Sequence, residues 1–270
     1  MSTPAAQFTG DIPGYYDRHL GPIIFEDYAA DLARRAAAIG GDDVLEIASG
    51  TGISTVALRK ALPASTRIVA TDLNEPMLEI CKGKLKSAEN VTFRQADAMA
   101  LPFTDAAFDL VSIQFGVMFF PDKPAAFAEA RRVLKPGGTL LFNVWSTMAA
   151  NPFAEIANLD AIKFFPDNPP KFYLTPFGYA DIDKVYADLG EGGFRDIDHD
   201  IVRLQKEVPD WTHFTTGAIR GSPMIVDIEA SKTVKPEQMI ADMAHELEAR
   251  FGKAPAKMPL EAIVYGAHKG

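Results

Sequence analysis

The stretch that decides the fold is VLEIASGTG, Val44 to Gly52, an apolar run that ends in a glycine-rich turn. A short apolar run bounded by such a turn predicts a buried parallel strand that passes directly into a helix. In open α/β sheets, ligands bind outside the carboxyl ends of the strands, and glycines there let the backbone approach a ligand closely. The stretch therefore predicts an α/β sheet with a ligand site at this turn.

Strands and helices alternate on both sides of the turn. A helical pattern over 15–38 ends at Gly40-Gly41. Further strands are predicted at 67–70, 91–94, 108–114 and 139–145, and further helices at 54–62, 76–87 and 125–134. Short connections between alternating elements indicate a parallel sheet covered by helices on both faces.

The second half of the chain departs from this alternation. Helices are predicted near 153–164 and at 180–189, and strands near 194–204 and 260–268. The segment between those strands is too long for a hairpin loop, and it contains helical patterns near 209–219 and 236–251. We expect segments 151–178 and 205–257 to form a lid that walls a substrate pocket.

Length and composition fit one domain. The 270 residues form a single predicted domain, 1–270, with an N-terminal helical cap at 1–40 and a cofactor-binding core at 41–150. The net charge of −9 repels phosphate backbones and disfavours nucleic acid as a partner.

The cysteine content and the lack of a targeting pattern narrow the class of protein further. The single cysteine, Cys81, excludes an internal disulfide and a cysteine-based metal cluster, and no metal site is expected. Residues 1–14 lack the pattern of a signal peptide, and no apolar run reaches membrane-spanning length. We therefore expect a cytoplasmic protein that does not associate with membranes.

The glycine turn discriminates between two cofactors. A dinucleotide site follows G-x-G-x-x-G/A, but Gly50 and Gly52 are followed by Thr55. Glu46, at the end of the strand, would repel a pyrophosphate and attract an ammonium group. S-adenosylmethionine (SAM) carries an ammonium and a sulfonium and no phosphate, so the pattern favours SAM over NAD. A plain structural turn with a solvated glutamate is the alternative.

Two further strand ends carry carboxylates. Asp72 lies about 20 residues beyond the turn, where an acidic side chain accepts hydrogen bonds from ribose hydroxyls. Asp97 could accept the exocyclic amine of adenine, with Ala98 leaving room beside the ring, and Met77 could contact the adenine face. The alternatives are a helix cap or turn for Asp72, an Asx turn for Asp97 and a core position for Met77.

Together, these segments resemble class I SAM-dependent methyltransferases, especially the branch that includes quinone-biosynthesis C-methyltransferases. VLEIASGTG is similar to the family's first motif, with Ala48 where glycine is commoner. The similarity extends to ATDLNEPML (70–78) for ribose, QADAMALPFTDAAFDLV (95–111) for adenine and RRVLKPGGTLLFNVW (131–145) for the end of the conserved half. It covers 40–145 well and 151–257 only in general layout.

The resemblance implies a fold, a reaction and a set of cofactor contacts. The fold is a Rossmann-like, doubly wound, seven-stranded α/β sheet of order 3-2-1-4-5-7-6, with an antiparallel last strand and a helical lid insertion. The reaction is in-line transfer of a methyl group from SAM to a small-molecule acceptor. The expected SAM contacts are Tyr16 (or Tyr15), Glu46, Ser49, Gly50, Gly52, Asp72, Leu73, Met77, Asp97, Ala98, Gln114 and Phe115.

Methyl transfer does not require a dedicated base. Positioning alone can lower the barrier by about 7–11 kcal/mol, and a base adds about 10²–10⁴-fold. His213, between Trp211 and Phe214, is the best candidate base, with a structural histidine as the alternative. Lid aromatics either line an apolar acceptor pocket or simply pack the lid; they are Phe153, Phe164, Phe165, Phe172, Tyr173, Phe177, Trp211 and Phe214. We expect a partly apolar acceptor.

Two other functions compete with this interpretation. An NAD-dependent oxidoreductase is disfavoured by the incomplete glycine pattern and by Glu46. A non-catalytic SAM-binding protein would show a broken cofactor motif or lack the lid, and the sequence has neither feature. The acceptor atom, the substrate and the oligomeric state stay open.

Overall fold

The computed structural model describes residues 7–86, 88 and 90–270, which form a seven-stranded sheet of order β3-β2-β1-β4-β5-β7-β6. The strands β1 to β5 pair in parallel, and β7 runs antiparallel to both β5 and β6. This confirms the predicted strand order and the antiparallel last strand. The strands are β1 Asp43–Ile47, β2 Arg67–Asp72, β3 Val91–Gln95, β4 Phe108–Gln114, β5 Leu134–Trp145, β6 Asp196–Val208 and β7 Ala256–His268.

Helices cover both faces of this sheet, because its central strands are apolar on both sides. In β1, every residue after Asp43 is buried. The helices are α1 Ile12–Tyr15, α2 Glu26–Ile39, α3 Ile53–Ala61, α4 Glu75–Lys84, α5 Lys123–Val133, α6 Pro152–Phe164, α7 Ile182–Glu191, α8 Trp211–Arg220, α9 Met224–Ser231 and α10 Pro236–Phe251.

The N-terminal helix is not the uninterrupted α-helix that the pattern over 15–38 predicts. A π-helical segment, Tyr16–Phe25, joins α1 to α2, and at its end the backbone N–H of Glu26 donates to the carbonyl of Gly21. Pro22 lies inside this segment and has no N–H to donate, so regular α-helical hydrogen bonding cannot run through it. Tyr16 and Phe25, the first and last residues of this segment, both lie at the carboxyl edge of the sheet.

The insertion between β6 and β7 is shorter than the sequence predicts. β6 continues to Val208 and β7 begins at Ala256, and these two residues pair with each other. The ends of the predicted lid segment 205–257 are therefore strand, and the insertion is 209–255. It contains α8, α10 and an unpredicted short helix, α9, which buries Met224 and Ile228.

The boundary of β5 also differs from the prediction. β5 begins at Leu134 rather than at 139, and its register against β4 shifts between Phe108 and Leu110. The Pro-Gly-Gly turn at 136–138 thus lies within an irregular strand rather than before a regular one.

Gly52 packs against helix α4. Its φ is +84°, and a Cβ there would lie 2.5 Å from Sγ of Cys81. Gly52 is therefore needed for helix packing, and it does not line the cavity described below. The contact with the cofactor that the sequence predicts for Gly52 stays a prediction.

We expect Gly52→Ala to destabilise the protein more than Gly137→Ala does. Both glycines have a left-handed φ, but a Cβ at Gly137 would meet nothing within 4 Å. The backbone conformation alone costs about 1–2 kcal/mol, and overpacking adds about 1–3 kcal/mol at Gly52 only. Urea unfolding measures the difference, and equal losses for the two variants would contradict the packing role.

Candidate functional site

A large cavity lies at the carboxyl ends of the central strands. Ala48, Asp72, Gln114 and Trp145, at or just beyond the ends of β1, β2, β4 and β5, all line it. It encloses about 1240 Å³ of space, counting its open mouth. Its lining runs from the glycine turn after β1 to Tyr173, Phe177 and Ser222 in the second half of the chain.

One end of the cavity gathers most of the residues expected to contact SAM. Ser49 lines an adjoining pocket together with Gly50 and Gln114. The predicted residues in the main cavity are Tyr16, Gly50, Asp72, Leu73, Met77, Asp97, Ala98, Gln114 and Phe115. Parallel strands bring these positions to one edge although they lie far apart in the chain.

Asp72 links the ends of β1 and β2. Its Oδ2 accepts the backbone N–H of Gly50 at 2.8 Å, and its Oδ1 accepts that of Asn74 at 2.7 Å. Burial raises the pKa of the Asp72 carboxyl, whereas these hydrogen bonds act in the opposite direction. A carboxylate has more lone pairs than these two bonds use, so Asp72 keeps acceptor capacity for a ligand.

Several buried polar atoms near the glycine turn have no hydrogen-bond partner of good geometry among the described residues. Each such group costs about 1–3 kcal/mol when it is left unpaired, and a cluster of them indicates a polar binding site. They are both carboxylate oxygens of Glu46, the hydroxyls of Ser49, Thr51 and Ser54, and Oε1 of Gln114. Carboxylate, hydroxyl and amide oxygens fit a ligand that presents hydrogen-bond donors and positive charge.

Glu46 lies behind the turn rather than on the cavity surface. It is fully buried and lines neither the cavity nor the adjoining pocket. Burial raises the pKa of its carboxyl to about 7, opposed by the nearby Thr55 and Ser54 hydroxyls at the start of α3. The structure thus places Glu46 outside the lining of the cavity, and the contact with SAM that the sequence predicts for it stays a prediction.

The alanine that replaces a commoner glycine in the first motif has a structural cost. Ala48 has a φ of +57°, a conformation that costs a non-glycine residue about 1–2 kcal/mol. A Cβ at Gly116, beyond the end of β4, would lie 2.6 Å from Cβ of Ala48. Ala48 is thus tolerated because the facing residue is glycine, a dependence that side-chain size alone does not reveal.

Phe115 lies where the polar end meets the rest of the cavity. Its φ is +50°, and its backbone N–H donates to Oδ1 of Asn143 at 2.9 Å. Its ring stacks on Trp145, with centroids 4.1 Å apart and planes 13° apart. The strained backbone therefore aims an aromatic ring into the wall between the two halves of the cavity.

The other end of the cavity is aromatic. Trp145 stacks on Phe177, and both line the cavity with Phe153, Phe172 and Tyr173. The remaining predicted aromatics do not line the cavity. Phe214 packs against Phe153, and the Trp211 indole N–H donates to the carbonyl of Gly252. Phe164 and Phe165 also lie outside the cavity lining. Part of the aromatic set therefore lines the cavity and part packs elsewhere, and its role towards an acceptor stays a prediction.

Sequence reasoning missed several lining residues. Phe119 and Trp145 lie just beyond or at strand ends, so the rule that ligands bind there could have identified them. Phe8 and Phe25 come from the N-terminal segment, and nothing in their sequence context indicates a site. The other missed residues include Leu20, Ile24, Met118, Phe120, Gly221 and Ser222.

His213 is not part of the cavity. It lies exposed in the first turn of α8, and its ring is 4.1 Å from that of His19. The geometry therefore gives no support to its predicted role as a base. Among the described residues that line the cavity, the ionisable side chains are Tyr16, Asp72, Asp97 and Tyr173.

The described residues contain neither a metal-binding cluster nor a membrane-spanning helix. Residues 7–86, 88 and 90–270 contain no group of three or more His, Cys, Asp or Glu side chains placed to hold a metal ion. No helix within these ranges has the length and apolar character needed to cross a bilayer.

Solved structures share this fold. Phosphoethanolamine N-methyltransferase 2 of Haemonchus contortus, solved with S-adenosyl-L-methionine, is 16% identical with a TM-score of 0.62, covering 100% of this chain and 60% of that one. The [4+2]-cyclase SpnF is 18% identical with a TM-score of 0.58, covering 91% and 81%. At these identities the likeness shows the fold alone, and the cyclase shows that this fold also carries other chemistry.

Sequence comparison is more specific. A demethylmenaquinone methyltransferase of Staphylococcus aureus (strain JH9) is 41% identical over 129 residues, which are 47% of this chain and 54% of the relative. The chain thus spans about half the length of the curated relatives it matches. The model of the ubiE/COQ5 methyltransferase family matches residues 24–167, just over half of the chain. The resemblance to class I SAM-dependent methyltransferases is thereby confirmed, and the chain belongs to the ubiE/COQ5 methyltransferase family.

Proposed function

We propose that the protein transfers a methyl group from SAM to a small, uncharged aromatic acceptor. The observation that carries this proposal is that one end of the cavity lies at the glycine turn, beside buried oxygens that lack partners among the described residues, and the other end is aromatic. The first suits a cationic nucleoside, and the second suits an apolar ring. Membership of the methyltransferase family supports the same reaction.

Residues of the polar end would hold the cofactor. Asp72 would accept the ribose hydroxyls, Asp97 and Ala98 would flank the adenine, and Ser49 and Gln114 would meet the methionine part. When bound, SAM supplies a methyl group on a sulfonium, which is a good leaving group. Burial and the nearby Asp72 carboxylate raise the pKa of Tyr16, so its phenol stays neutral and can cover the cofactor as a hydrogen-bonding lid.

The chain contributes positioning and exclusion of water. Phe115 and Trp145 would hold the acceptor against the reacting end of the cofactor, because their stacked rings form the wall at the boundary. Alignment of this kind can lower the barrier by about 7–11 kcal/mol. No histidine, lysine or arginine is among the described lining residues, so we propose that the acceptor reaches its reactive form without a base from this wall.

The aromatic end of the cavity supports a particular class of acceptor. Residues 172–177 and 221–222 of the aromatic end lie outside the family match at 24–167. The name of the staphylococcal relative points to a quinone-type ring, and an aromatic chamber favours such a neutral, planar molecule. We accordingly propose that segments 151–178 and 209–255 form the acceptor lid, and that nucleic acid is not a substrate.

We expect Asp72→Asn to weaken SAM binding by about tenfold or more while the protein stays folded. The amide keeps the size of the side chain but loses the charge and one of the two acceptor oxygens that hold the Gly50 and Asn74 amides, and hydrogen bonds to charged groups contribute about 1.5–3 kcal/mol. Calorimetric titration measures the dissociation constant. Asp122→Asn is the control, because Asp122 caps α5 by accepting the N–H of Ala125 and lies outside the cavity. Unchanged affinity in Asp72→Asn would refute the ribose assignment.

SAM affinity is expected to rise as the pH rises from about 5.5 to 7.5, because a cation favours the ionised form of Glu46. The pKa of this carboxyl is raised to about 7, so it is mostly neutral below that pH and ionised above it. Ionisation of this one group can raise the affinity for SAM by at most about tenfold per pH unit. In Glu46→Gln the slope should flatten; a slope as steep as that of the unaltered protein would rule out Glu46 as its origin.

The reaction itself is tested with SAM labelled in its methyl group. Incubation with a panel of naphthols and hydroquinones should give labelled products that extract into organic solvent. If the protein binds SAM but labels none of these acceptors, nor any component of a cell extract, it acts as a non-catalytic SAM-binding protein.

A further inference from the structure

Two hydroxyl groups in the aromatic end of the cavity share one backbone partner. Oη of Tyr173 lies 2.9 Å from the carbonyl oxygen of Ala218, and Oγ of Ser222 is also 2.9 Å from it. Tyr173 belongs to the lid segment after α6, and Ser222 follows α8. Both residues line the cavity, and they are only 5% and 2% exposed.

The protons of both hydroxyls are engaged within the chain. A hydroxyl has one proton to donate and two lone pairs that accept. Tyr173 donates its proton to Ala218, and Ser222 has two carbonyls within reach, Ala218 and Ile219, the latter at 3.2 Å. Burial raises the pKa of Tyr173, so the phenol keeps its proton and does not act as a base. Towards a ligand, both oxygens can therefore only accept.

The surroundings of the pair are apolar. The Tyr173 ring stacks on Phe177 and meets Phe153 edge-on, with centroids 6.3 Å apart in both cases. In such a setting, a polar atom of a ligand that faces another acceptor loses its hydration and gains no hydrogen bond, which costs about 1–3 kcal/mol. The pair thus discriminates between donors and acceptors on the ligand.

The pair also adjoins the segment that covers the cofactor end. A Cβ at Gly221 would lie 2.8 Å from the backbone nitrogen of Tyr16, so the end of α8 packs directly on the π-helical segment. Tyr16 lines the polar end of the cavity together with Asp72. A ring bound near Ser222 would therefore lie close to the boundary between the two ends.

We propose that Tyr173 and Ser222 form a subsite that accepts a hydrogen bond from a hydroxyl group on the methyl acceptor, and that they select a hydroxylated aromatic ring over its ether or ketone counterpart. This rests on the proposed function, since it concerns the acceptor end of the same cavity. The two residues determine specificity and orient the ring.

The test uses two probes, 2-naphthol, which has a hydroxyl donor, and 2-methoxynaphthalene, in which a methyl group replaces the donated proton. Each is titrated calorimetrically into the full chain saturated with S-adenosylhomocysteine (SAH). We expect 2-naphthol to bind more tightly. Ser222→Ala and Tyr173→Phe should each weaken 2-naphthol binding about three- to tenfold, the effect of one neutral hydrogen bond, and should not weaken the binding of 2-methoxynaphthalene.

A buried hydroxyl elsewhere on α8 provides the matched control. Oγ1 of Thr215 donates to the carbonyl of Ile240 at 3.0 Å, and Thr215 does not line the cavity. Thr215→Val therefore removes a comparable buried hydrogen bond, and it should alter the binding of neither probe. If Tyr173→Phe fails to fold, Ser222→Ala alone decides the test.

Three outcomes would overturn the subsite: no preference between the probes, equal weakening of both probes by Ser222→Ala, or no binding of 2-naphthol. Each can occur while SAH still binds, which leaves SAM use intact. Failure of SAH itself to bind would instead refute the proposed function and the subsite together.

Discussion

The hydrogen bond from the backbone amide of Gly50 to the Asp72 carboxylate is the interaction on which the site depends. It ties the turn after β1 to the end of β2, and so joins two segments that the chain itself separates by a whole helix. A buried carboxylate is costly unless it is hydrogen-bonded, and the two amides that it accepts make its burial tolerable. The same turn then packs on α4 through Gly52, which leaves the cavity side of the turn free for a ligand.

The two ends of the cavity would affect the charges of bound ligands in different ways. At the polar end, buried oxygens would stabilise a cation that has been removed from water. At the aromatic end, a low effective dielectric would strengthen attraction between opposite charges. Methyl transfer from a sulfonium removes the positive charge from sulfur, so an electron-rich or anionic oxygen or carbon would be drawn towards the methyl group. An aromatic chamber is thus suited to the proposed reaction without a base in its wall.

The π-helical segment packs directly on helix α8. Gly217 and Gly221, one turn apart on and just beyond α8, face His19 and Tyr16 of the π-helical segment, where a Cβ would lie 2.6 Å and 2.8 Å from their atoms. Close backbone contact of this kind needs glycine on one side, because there is no room for a side chain. The two segments, which both contribute residues to the cavity lining, are therefore packed together, and a shift of one would disturb the other.

The sequence by itself determined the alternation of strands and helices, the glycine turn and most of the polar end of the cavity, and its resemblance to a known family implied the strand order. The alternation and the turn depend on local patterns, and a parallel sheet then brings the ends of its strands to one edge. Tertiary structure alone decided that Phe8 and Phe25 line the cavity, that Glu46 is buried outside its lining and that His213 lies outside the cavity. It also decided that Tyr173 and Ser222 meet at one carbonyl. Each of these depends on contacts between segments far apart in the chain, and no local pattern of residues encodes which distant side chain will fill a given space.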